Sequence, residues 1–167
     1  DIYDERDPAW HPTEDRLVFA SDRTPHGSPP RHAYNLFTVD LDTRRIQYLT
    51  RGDHYDFSPR WSPDGRYVLF TSSRRDSTGQ YGGQNVWIAD MESPEALASA
   101  SADSNGSASS SPIVRTRTDR AERGPVLQRL TNYTTAVHDP VWTEDDRLLF
   151  TAFEGFSYGV RTRADLD

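Results

Sequence analysis

Cysteine and lysine are both absent from the 167 residues. Without cysteine there is no disulfide scaffold, no Cys-ligated zinc and no thiol catalysis within the chain. Without lysine, all 19 basic residues are arginine, against 26 acidic ones. Arginine-only usage with an acid surplus is the composition expected of a GC-rich genome and of a halophile, whose acidic surfaces stay hydrated in salt. A formal charge of −7 and a pI near 5.2 argue against a nucleic-acid binder that works by bulk electrostatics. Long apolar runs are missing too. None approaches the roughly 18 residues of a membrane span. The first residue is Asp rather than Met, as in a processed or excised chain, where a targeting signal would be lost from view.

What is present repeats. Asp7–Arg23, Ser58–Arg74 and Asp139–Phe153 each carry Pro-x-Trp, a polar turn, an Arg and a short apolar run with Phe. The tryptophans, Trp10, Trp61 and Trp142, recur at intervals of 51 and 81 residues. The longer interval holds a Ser/Ala-rich, then polar, stretch over 94–124, which reads as a surface insertion. Two further matches complete the unit. Tyr34–Asp42 corresponds to Gln84–Glu92, and Ile46–Ser58 to Leu127–Asp139. Each unit thus predicts four short strands, rich in β-branched and aromatic residues and bounded by turn residues. Ser62-Pro63-Asp64-Gly65 supplies a reverse turn between the first two, with Pro pre-set near φ −65° and Gly where φ is positive.

A four-stranded antiparallel unit repeated in this way predicts an all-β fold of β-propeller blades. One blade cannot cover both its faces, so blades stack. Trp10, Phe19, Trp61, Phe70, Trp87, Trp142 and Phe150 are therefore expected in the core between blades. The expected boundaries are about 7–51 for the first blade, about 58–131 for the second with the insertion inside it, and about 139–167 for a partial third. That makes about 2.75 blades, fewer than the roughly four to eight that close a ring. The expectation is a segment of a longer polypeptide, which supplies more blades; self-association of copies into a ring is the alternative.

The run Pro59-x-Trp61-Ser62-Pro63-Asp64-Gly65-Arg66 with Val68-Leu69-Phe70-x-Ser72, together with Asn85-Val86-Trp87-Ile88 and Arg129-Leu130-Thr131, resembles the WD40-like repeat of TolB-type β-propellers. The first copy keeps Pro8, Trp10, Pro12 and Ser21-Asp22-Arg23 without the turn glycine. The third has Thr-Glu-Asp-Asp for Ser-Pro-Asp-Gly and lacks Ser-x-Arg. The resemblance implies a periplasmic or secreted bacterial protein of the cell envelope that serves as a non-enzymatic protein-binding scaffold. It implies docking of a peptidoglycan-associated lipoprotein and of a colicin-import or envelope-spanning partner at the propeller. It also implies an alternative, since such propellers occur as substrate-gating domains of prolyl-oligopeptidase-like and tricorn-like serine peptidases, with catalysis in another domain.

The residues themselves carry little chemistry. Gly155-Phe156-Ser157-Tyr158-Gly159 fits the G-x-S-x-G nucleophile elbow, but a strand rather than a helix is expected after it and no histidine follows His138. It reads as the loop between the second and third strands. No catalytic residue and no metal ligand set is assigned; the five histidines show no metal-binding spacing. Propeller geometry places the leading ends of the innermost strands around one mouth of the channel. That mouth is predicted from Glu5, Arg6 and Asp7, from His54, Tyr55 and Asp56, and from His138 and Asp139. Acidic with aromatic members, it suits a cationic peptide segment of a protein partner, with a hydrated calcium ion as the other candidate and no other cofactor.

Overall fold

The computed structural model describes residues 2–23, 33–75, 83–92, 125–145 and 147–163. The insertion 94–124 and most of the two loops at 24–33 and 76–84 lie outside the described residues. Among the described residues every regular element is a strand: β1 (Glu5–Trp10), β2 (Arg16–Ser21), β3 (Asn35–Asp40), β4 (Arg45–Tyr48), β5 (Asp56–Trp61), β6 (Tyr67–Ser72), β7 (Asn85–Asp90), β8 (Val126–Arg129), β9 (Val137–Trp142), β10 (Leu148–Glu154) and β11 (Ser157–Arg163). They form three antiparallel sheets in up-and-down order, β1–β4, β5–β8 and β9–β11. No helix among them is long and apolar enough to cross a membrane.

Period-two alternation explains the packing. In the second sheet Val68, Phe70, Trp87 and Ala89 face one way and join Val18, Ala20, Leu36 and Leu49 of the first sheet in one core. Their neighbours Leu69, Val86 and Ile88 face the other way and join Val137, Leu148, Phe150 and Ala152 of the third. Both faces of the middle blade are thus covered, which is why its strands read as nearly continuous apolar runs.

The tryptophans separate by neighbour. Trp61 meets the ring of His11 from the first blade edge-on at 4.6 Å, and Trp142 lies 6.5 Å from Tyr67 of the second. Trp61 and Trp87 are buried and Trp142 half-buried. Trp10 corrects the expectation, being 63% exposed. Each tryptophan packs on the blade before its own, and among the described residues no blade precedes the first. Phe19 also departs from its expected place: it is buried, but beside Phe37 at 5.8 Å and under the Arg23 guanidinium at 5.6 Å, on the face turned away from the second blade.

The turns follow their residues. Gly65 takes φ 78°, and a Cβ there would stand 2.4 Å from His11 Nε2, so this glycine also admits the neighbouring blade. His11 Nδ1 accepts the N–H groups of Thr13 and Glu14 at 3.3 and 3.0 Å, leaving Nε2 to donate to the Gly65 carbonyl at 3.2 Å. Gly155 and Phe156 take φ 55° and 64°, the values of a two-residue type I′ hairpin. Ser157 therefore opens β11, its Oγ donating to the Glu154 carbonyl at 3.3 Å. That is a hairpin, not a nucleophile elbow.

Candidate binding site at the channel mouth

The first strands β1, β5 and β9 each carry one backbone irregularity at the same place. Asp7, Ser58 and Asp139, each just before a proline, take φ of 52°, 50° and 51°. The ladder slips a register at each of these points. Left-handed backbone at a non-glycine residue costs on the order of 1–3 kcal/mol. Three equivalent bulges therefore re-aim the leading ends of the three strands in the same way. Asp7 Oδ2 accepts the Ser58 N–H at 3.0 Å, tying the first bulge to the second. Two further bonds staple the blades at this end: Asp56 N–H to the Tyr34 carbonyl at 2.9 Å, and Val137 N–H to the Gln84 carbonyl at 3.0 Å.

The predicted residues divide into surface groups and a buried anchor. Asp56 is fully buried, which corrects its reading as a mouth residue open to a partner. Its Oδ2 accepts Thr50 Oγ1 at 2.6 Å and Arg74 Nη2 at 2.7 Å. His54 Nε2 stands 3.3 Å from that oxygen and 3.0 Å from Arg74 Nη2. Bare, this nitrogen accepts from Arg74; protonated, it donates to Asp56. Burial alone would raise the Asp56 carboxyl. The hydrogen bond from His54 and the charge of Arg74 outweigh it and hold the group below the ordinary carboxylate range. The Arg74 guanidinium in turn lies 5.1 Å over both Phe70 and Trp87.

The first blade has a looser version. Glu5 pairs with Arg23 at 2.6 Å, and that guanidinium lies over Phe19 and Phe37. Arg6 turns back onto Asp4 at 2.5 Å. The bonds from Arg6 and the Tyr34 hydroxyl hold the Asp4 carboxyl below its usual range. The acidity of this predicted set is therefore narrower than its sequence: arginines answer Asp4, Glu5 and Asp56. Asp7 is half-buried at the bulge, and Asp139 is exposed. Tyr55, 43% exposed, lies 6.0 Å from Phe57 and 6.5 Å from Tyr34. His138 is half-buried, 6.2 Å from Tyr158.

Sequence reasoning missed the partners of the anchor. The signal was present as Ser-x-Arg after the second strand, since Ser21 and Ser72 stand opposite Glu5 and Asp56. The Leu-Thr motif has a similar basis. Thr50 and Thr131 accept the N–H groups of Leu36 and Val86 at 2.8 and 2.9 Å, while Leu49 and Leu130 fill the two cores.

No protein-family model matches the chain. A TolB protein of the Tol-Pal system from Ruegeria sp. is 37% identical over 59 residues, 35% of this chain and 13% of that protein. Among solved structures, TolB from Acinetobacter baumannii superposes with a TM-score of 0.57 at 17% identity, over 94% of this chain and 29% of that one. The acylaminoacyl peptidase from Pyrococcus horikoshii gives 0.50 at 15%, over 92% and 18%. The chain thus spans a small part of the length of each. Its fold is that of a partial TolB-like β-propeller.

Proposed function

We propose that the chain is a protein-binding scaffold module of the bacterial cell envelope, working in the periplasm as part of a Tol-Pal-like system. The observation that carries this reading is the set of three equivalent bulges at Asp7, Ser58 and Asp139, which re-aim the leading ends of β1, β5 and β9 in the same way. The similarity to TolB supports it. The partner is a cationic protein segment, received by the carboxylates of Asp7 and Asp139 and by the exposed ring of Tyr55. Catalysis is not this module's work.

The second reading is the propeller of a larger serine peptidase, favoured by the likeness to acylaminoacyl peptidase. The full open reading frame separates the two. An α/β-hydrolase region with Ser, Asp and His in that order after residue 167 favours the peptidase.

Binding is tested at the surface groups, not at Asp56. Titration of the chain with an Arg-rich peptide is expected to give saturable binding, weakened about tenfold or more by Asp139→Lys combined with Tyr55→Ala. Thermal unfolding of that variant should match the parent. Binding indifferent to both substitutions discards the mouth as the docking site.

A further inference from the structure

At their far ends the same three strands present the opposite chemistry. A groove of about 290 Å³ crosses all three blades there, lined chiefly by Trp10, Pro12, Arg60, Trp61, Val141 and Trp142. Among the described residues no carboxylate lines it, in a chain whose net charge is −7. Arg60 is the single charge among its described lining residues, and its guanidinium donates Nη1 to the neighbouring Pro59 carbonyl at 2.7 Å. Val141 is 38% exposed, so an aliphatic side chain stands open beside that cation, with Trp10 of the first blade flanking it.

We infer that this groove binds a short acidic, proline-containing peptide segment of a partner protein. Indole faces beside proline rings form the kind of surface on which a polyproline-type peptide stacks at little entropic cost. A guanidinium with no carboxylate beside it among the described lining residues supplies the fork whose N–H groups a Glu or Asp of the peptide would accept. Tryptophan and arginine are also the residues that most often dominate such contacts. The volume lies at the small end of ligand pockets, which run to roughly 300–1,000 Å³, and so suits a few side chains rather than the face of a folded domain. This site stands apart from the mouth proposed for the cationic partner, and either can fail without the other.

The test is a titration of the whole chain, followed by tryptophan emission and calorimetry, with a blocked Pro-Pro-Glu-Pro-Leu peptide and its counterpart carrying Lys for Glu. The acidic peptide should bind and shift the emission, and the Lys peptide should bind at least tenfold more weakly. Trp10→Ala and Arg60→Ala should each weaken binding tenfold or more, and Arg60→Lys should recover part of it. Thermal midpoints report that the variants remain folded. The inference is overturned if the two peptides bind equally or not at all. It is also overturned if a solution mass shows a dimer that Trp10→Ala converts to monomer, because the groove would then belong to a second copy.

Discussion

In the first two blades the leading residue of the first strand is a carboxylate, Glu5 or Asp56, opposite Ser21 or Ser72 and held by Arg23 or Arg74. In the third blade that position is Val137, opposite Ala152, and Glu154 stands where the arginine stood, turned instead to Arg161 at 2.5 Å. The third sheet still packs on the second, through Val137, Phe150 and Ala152. A blade therefore does not need the ionic anchor in order to stack; an apolar pair closes the same position. What the anchor adds is a charged group fixed at the leading end of the first strand, and with it a dependence on pH and on each partner remaining in place.

The comparison also separates the two anchors that do exist. Asp56 is fully buried, whereas Glu5 and Arg23 are partly open, with side chains 35% and 19% exposed. Removing one partner of a buried pair strands the other charge. Asp56→Ala should accordingly cost about 3–5 kcal/mol in urea unfolding. A loss under about 1 kcal/mol would mean that Arg74 finds another partner or reaches solvent.

The next effect is acid sensitivity. The Asp56 carboxyl is held below its ordinary value in the folded state. Its contribution is therefore complete above the unfolded value, near 3.9, and is lost as pH falls through the lower folded one. Asp4, Asp64 and Asp90 are also held low and share this limb, so the informative quantity is a difference. Stability measured from about pH 5 downward should fall less steeply in Asp56→Asn than in the parent. Parallel slopes would remove Asp56 from the account. The smallest effect is expected from Glu5→Ala, about 0–1 kcal/mol, as for other exposed pairs. A loss equal to that of Asp56→Ala would erase the distinction between the two blades.

The blades were legible in the sequence because their signals are local and repeated: Pro-x-Trp, the apolar run with Phe, the Asn-led strand and Leu-Thr each recur, and alternation fixes the faces. Two things were not legible. Asp56 has the same letter as a solvated loop aspartate. Its burial depends on Arg74, eighteen residues onward, and on Thr50 from the preceding blade. Trp10 and Trp61 hold one position in the repeat, and what separates them is the neighbour each meets, which the repeat pattern does not contain. Of the residues expected to form an open acidic mouth, Asp56 is a structural anchor and Asp7 is half-buried and tied to Ser58, while Asp139 and Tyr55 are exposed.

Urea unfolding of Trp61→Ala beside Trp10→Ala bears most directly on the idea that each blade buries its tryptophan against the one before it. Truncating Trp61 should cost about 3–5 kcal/mol, as for a large core ring. Truncating Trp10 should cost about 0.5 kcal/mol or less, as for an exposed side chain. Equal losses at the two positions would contradict the stacking account.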